Sequence, residues 1–143
     1  MKADDGAATV RSRFARGPEQ LQRAVEGLDE AGLDTPVSPG GWTIRQVVHH
    51  VADGDDLWKV GIKSALGSED AEFSLAWYWA LPQTTWAERW GYDARPVAES
   101  LALFAAGRRH VLQLLELVPG AWNRSLRIPT PAGYRLFVDA LLE

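Results

Sequence analysis

The sequence predicts an all-α protein, a set of amphipathic helices joined by turns. Three observations carry this. Apolar residues recur at the helical period in three separated segments. Proline and glycine collect between those segments, over 34–41, around Pro82 and at Pro119-Gly120. A Thr43-x-x-Gln46 capping box marks one helix start outright.

Each element then has its own reason. Residues 1–17 are polar, with Asp4 and Asp5 beside Arg11, Arg13 and Arg16, and read as a flexible N-terminal arm. The helical domain is expected to span 18–143. Its first helix runs from Pro18, a residue suited to the first turn, to Ala31, with Leu21, Ala24, Val25 and Leu28 on one face and Gly32 as the stop. In the second helix, Thr43 and Gln46 cap each other's backbone, while Trp42 and Val47 hold the two positions of a hydrophobic staple. Ile44, Val47, Val48, Val51, Trp58, Ile62, Ala65 and Leu66 share its apolar face, so it runs to about Leu66 before Gly67. Residues 68–95, rich in Trp and Tyr, are too long for a turn and read as a crossover with one or two short helices. Pro96 opens a helix to about Val118, with Val97, Leu101, Phe104, Val111 and Leu115 on one face. Residues 123–135 read as a loop or small hairpin, and an apolar helical stretch starts at Leu136.

Composition bounds the function. At 143 residues one domain is expected. With 15 basic and 19 acidic residues the net charge is −4, which gives no basic footprint for nucleic acid. No apolar run approaches the roughly 18 residues of a membrane span. The absence of cysteine removes disulfides, thiolate ligands and cysteine nucleophiles, and suits a cytoplasmic location. There is no phosphate loop, no H-E-x-x-H and no G-x-S-x-G.

A few polar groups stand out against the helical pattern. His50 lies about 60° from Val47, at the rim of the apolar face, where an imidazole can ligate a metal or serve as a hydrogen-bonded boundary residue. His49 is expected to turn toward solvent. Asp53, one turn beyond His50, is placed to accept its other ring N–H. Asp55 falls near the centre of the same apolar face, and Arg108 is equally central on the later helix. If the two helices pack face to face, these charges pair and mark a polar pocket in the bundle. Otherwise Gly54 distorts the helix or the arginine snorkels out. The tryptophan-rich segment reads as core packing or as a ligand-stacking wall. His110 points to solvent.

The run Gly40-Gly41-Trp42-Thr43-Ile44-Arg45-Gln46-Val47-Val48-His49-His50-Val51-Ala52-Asp53 resembles the helix-two signature of the DinB-like superfamily, specifically its YfiT-type metal-dependent hydrolases. Leu33-Asp34-Thr35-Pro36, Lys63-Ser64-Ala65-Leu66 and Ser100-Leu101-Ala102-Leu103 extend the resemblance over about residues 18–142. It implies an up-down-down-up four-helix bundle, often a homodimer, with a long crossover between its second and third helices. It implies a divalent metal, zinc or nickel, on three histidines: one before the h-A-D tripeptide, here His50, and two from H-x-x-x-H on the last helix. Implied activities are hydrolysis, or transfer of a low-molecular-weight thiol (bacillithiol or mycothiol) onto small electrophiles; a mycothiol-dependent maleylpyruvate isomerase shares the fold.

This sequence departs from that pattern. Phe137 to Leu142 resembles the opening of the fourth helix, and Glu143 is the last residue. The histidines present are His49, His50 and His110. Zinc sites generally use three or four protein ligands. The expectation is therefore a fold with its fourth helix largely missing, a metal held loosely, and an apolar groove that favours self-association or belongs to a longer protein. The alternative function is a non-catalytic helical dimerisation module whose metal site has been lost.

Overall fold

A computed structural model describes residues 2–67 and 74–118 of the chain. Among these residues six helices follow in order: α1 (Lys2–Val25), α2 (Glu30–Leu33), α3 (Ile44–Gly67), α4 (Ala76–Trp79), α5 (Gln83–Arg89) and α6 (Ala98–Leu117). Among the described residues there is no strand, and a single isolated β-bridge joins Pro36 to Thr43. The architecture is all-α, as the periodicity predicts. The expected loop at 123–135 and the helix from Leu136 lie outside the described residues.

The capping box forms. The Thr43 amide donates to Gln46 Oε1 at 2.9 Å, and the Gln46 amide donates to Thr43 Oγ1 at 3.1 Å. Each side chain thus satisfies a backbone donor that the first turn leaves without an intrahelical partner. The approach to this helix is equally ordered. Pro39 and Gly40 sit at the centre of a turn closed by the Gly41 amide on the Ser38 carbonyl at 2.9 Å. Gly40 takes φ +73°, the left-handed value that a turn of type II requires at its third position.

Two boundaries differ from expectation. Residues taken as an N-terminal arm belong to α1, so Pro18 lies inside a helix instead of opening one. A proline there has no N–H for the carbonyl four residues back, which is that of Phe14. Arg108 supplies the missing donor: its Nη1 reaches the Phe14 carbonyl at 2.9 Å. The first helix also stops earlier. Gly27 adopts φ +79°, and Asp29 starts a separate short helix by accepting from the Gly32 amide at 2.8 Å.

α6 packs against both α1 and α3. Val51, Ala52 and Phe104 form the middle of the α3–α6 seam, with Leu21 of α1 packed against them. Val111 and Leu115 close one end with Phe14, Ile62 and Leu66, and Val25, Leu33 and Val48 close the other. The crossover builds its own small core. Tyr78 stacks on Trp86 and Trp90 with ring centroids 5.8 and 6.0 Å away, and packs with buried Trp58 and Leu75. The tryptophan-rich segment is therefore core packing along most of its length. Trp77 and Trp79 are its exposed rings, at 51% and 41%.

Candidate functional site

The polar side chains of α3 separate into three groups according to what covers them. The first is the charge pair deep between helices. Arg108 Nε donates to Asp55 Oδ1 at 2.8 Å, and the guanidinium lies over the Phe14 and Phe104 rings at 3.9 and 4.9 Å. Arg108 is 1% exposed. The pairing expected from the two wheels is present. Burial raises the Asp55 carboxyl above its ordinary pKa, with the Arg108 charge acting in the opposite direction. This group fastens α1, α3 and α6 together and offers no open coordination position.

The second group holds the crossover to α3. His49, expected to face solvent, is fully buried. A helical wheel cannot show that residues 92–95, distant in sequence, fold back over that side of α3. The His49 Nε2 lies 2.8 Å from the Arg95 carbonyl and Nδ1 lies 2.7 Å from Ser100 Oγ. A carbonyl only accepts, so Nε2 carries the proton. Burial lowers the pKa of this ring and keeps it neutral, so Nδ1 accepts from the Ser100 hydroxyl. Both ring nitrogens are thereby committed inside the fold, and His49 has none left for a metal. Arg45, 3% exposed and not singled out by the sequence, works beside it. It donates to Asp34 at 2.8 Å, to the Arg95 carbonyl at 2.9 Å and to Glu30.

The third group is His50 with its neighbours. The ring is half-buried and meets Trp42 edge-on, with centroids 5.1 Å apart. Burial lowers its pKa, partly offset by the Asp53 charge, so the imidazole is neutral and chemically able to ligate. Asp53 was expected to orient His50 through a hydrogen bond. Instead its Oδ2 accepts from Arg95 Nη1 at 2.8 Å, and it acts on His50 through charge. A long-range arginine from the crossover competes for the carboxylate, and no local spacing reveals it. Tyr92, also missed by the sequence reading, is 1% exposed and contacts the rings of Trp42, His49 and Trp90. His110 is exposed on α6, as expected.

The structure thus brings His50, Asp53, Trp42 and Tyr92 together and places Asp55 with Arg108 in a separate structural pair. Among the described residues no group of three or more His, Asp or Glu side chains could hold a metal ion. The described donor set therefore does not fit a tight zinc or nickel site: His49 is consumed by the fold and His50 is one imidazole. No helix among the described residues is long and apolar enough to cross a membrane.

Comparison with known proteins agrees with the all-α fold. Residues 13–142 match the DinB superfamily. A protein of Oceanobacillus iheyensis named as a metal-dependent hydrolase is 32% identical over 113 residues, 78% of this chain and 62% of that protein. One of Bacillus mycoides, named in the same way, is 61% identical over 36 residues, 25% of this chain and 21% of its own length. YfiT from Bacillus subtilis, described as a probable metal-dependent hydrolase with an unusual four-helix bundle topology, has a TM-score of 0.66 and 27% identity. That match covers 81% of this chain and 63% of YfiT. The chain spans less than two thirds of the length of each of these relatives.

Proposed function

The chain belongs to the DinB superfamily, and from that premise we propose that it carries the scaffold of a metal-dependent hydrolase, or of a low-molecular-weight-thiol transferase, acting on small electrophiles. His50 is the metal-ligand position of that scaffold. The observation that carries this reading is the setting of His50, a half-buried imidazole that burial keeps neutral, packed edge-on against Trp42 and within the field of Asp53. The resemblance to the helix-two signature supports the same residue for the ligand role. A single imidazole holds zinc or nickel weakly. Self-association belongs to the same proposal.

The test is equilibrium dialysis of the purified chain against Zn2+ and Ni2+, with elemental analysis before and after desalting, for wild type and His50→Ala. Weak binding that desalting removes, and that His50→Ala abolishes, supports the reading. One equivalent retained by wild type but lost in the variant would mean that this chain completes a tight site unaided. Metal retained by His50→Ala would remove His50 from the ligand set. A non-catalytic dimerisation module is the second reading, favoured by the lack of a three-ligand group among the described residues; it expects no His50-dependent binding at all.

A further inference from the structure

A cavity of about 180 Å³ opens where the start of α3 meets α5, lined by Trp42, Gln46, Thr84, Ala87, Glu88 and Asp93. Local chemistry brings these residues together. Thr84, Ala87 and Glu88 are spaced i, i+3, i+4 along one face of α5. That helix ends in a Schellman motif. The Tyr92 amide donates to the Ala87 carbonyl at 2.9 Å, the Gly91 amide donates to the Glu88 carbonyl at 3.2 Å, and Gly91 takes φ +64°. The reversal delivers Asp93 to the same opening, and buried Tyr92 anchors it against Trp42, with ring centroids 6.2 Å apart. The capping box fixes Gln46, whose Oε1 accepts from the Thr43 amide at 2.9 Å. Ala87 is buried and Trp42 and Gln46 are half-buried, so they form the inner side of the cavity; Thr84, Glu88 and Asp93 are exposed and form its mouth. Among the described residues neither the Glu88 nor the Asp93 carboxylate has an ion-paired or hydrogen-bonded partner, and no Lys or Arg lines the cavity.

We infer that this cavity recognises the substrate beside His50 and takes an alkylammonium group, its N–H donors going to Glu88 and Asp93 and its hydrocarbon lying against Trp42 and Ala87. Position comes from Trp42, which lines the cavity and also meets the His50 ring edge-on at 5.1 Å. Sign comes from the mouth, where two carboxylates with no cation among them favour a positive guest and oppose an anionic one. An ammonium has three donors and no acceptor, and an ionised carboxylate only accepts. Tryptophan is also the side chain whose ring face attracts a cation most strongly. Size limits the guest. At about 180 Å³ the cavity is smaller than the roughly 300–1,000 Å³ of a pocket for a drug-sized ligand, so it holds one head group of a few heavy atoms. This inference rests on the proposal that the His50 side of α3 is the ligand site, and it gives that site a substrate class.

The test titrates tert-butylammonium chloride and its uncharged isostere, tert-butyl alcohol, into the full chain, as wild type and as the double variant Glu88→Gln/Asp93→Asn. EDTA is present throughout, so no metal takes part. Binding is read from the Trp42 indole N–H resonance, assigned by its loss in Trp42→Phe. The expected result is a saturable shift with the ammonium, which binds wild type about tenfold more tightly than the alcohol does. The double variant should lose that advantage and keep the affinity for the alcohol. Added salt should weaken the ammonium and leave the alcohol unaffected. Both replaced side chains are exposed, and matching circular dichroism spectra establish that two folded proteins are being compared. The inference is overturned if the two probes bind wild type equally, if the double variant binds the ammonium as well as wild type does, or if the Trp42 resonance stays silent. Because EDTA takes metal out of the measurement, failure here leaves the His50 assignment to its own dialysis test.

Discussion

Replacing Arg108 by methionine tests the inter-helix pair most severely. The side chain is 1% exposed and makes three kinds of contact: to Asp55 at 2.8 Å, to the Phe14 carbonyl at 2.9 Å, and over two phenyl rings. Methionine keeps much of the volume and the ring contact but leaves the Asp55 carboxylate without its cation and the Phe14 carbonyl without a donor. Breaking a buried pair from one side costs about 3–5 kcal/mol. The Asp55 side chain retains 14% exposure, which places this case near 3 kcal/mol. For a domain of this size that is roughly a 10 °C fall in unfolding temperature. The sign with pH follows from burial. A carboxyl whose folded pKa is raised holds its proton more tightly when folded, so its cost is absent below the unfolded value and grows as pH rises through the folded one. Without Arg108 the shift increases, so the deficit of Arg108→Met should widen from pH 4 to pH 7. Urea unfolding by circular dichroism of Arg108→Met, Asp55→Leu and the double variant provides the cycle. The double variant should recover most of the loss, because two apolar groups leave no orphaned charge. If the two losses simply add, with coupling below about 0.5 kcal/mol, the pair is not the fastening described.

Two further outcomes are expected. His49 has a lowered pKa when folded, so on acidification the unfolded chain takes up its proton first and stability falls as pH drops below about 6.5. Thermal unfolding at pH 7 and pH 5 should show this fall, with His49 contributing up to about 1.4 kcal/mol per pH unit and His49→Gln flattening the profile; an unchanged slope would mean that the ring titrates freely. Pro18→Ala should stabilise α1 by clearly less than the roughly 3 kcal/mol usual for removing an interior helix proline, since the new amide competes with Arg108 for the Phe14 carbonyl. A full gain in urea unfolding would show that Arg108 adds nothing there.

What the sequence disclosed and what it hid divide along one line, the reach of the interaction. Thr43 and Gln46 are three residues apart and their caps formed as read. Asp55 and Arg108 were legible as partners because each is a charge centred on an apolar stripe, a conflict that only a facing opposite charge resolves. His49 and Arg45 were not legible. The side of α3 that carries them looks solvent-facing on a wheel, and what covers it is a segment some fifty residues away, through the Arg95 carbonyl. Pro18 misled for a related reason: proline most often opens a helix, and only the arrival of Arg108 makes it tolerable inside one. Tyr92 carried no signal at all, since an aromatic in a tryptophan-rich segment reads as packing. The signature points to His50 and Asp53, while the contacts that Arg95 makes with Asp53 and Tyr92 with Trp42 needed three dimensions.

The proposed function gives adjacent histidines different duties, His49 holding the fold and His50 meeting the metal. Nitrogen-detected NMR of the imidazole rings during a Zn2+ titration tests it most directly. The account predicts that His49 shows the tautomer protonated at Nε2 throughout and does not respond to Zn2+, while the His50 ring nitrogens shift. Zinc-induced shifts at His49, with His50 silent, would contradict it.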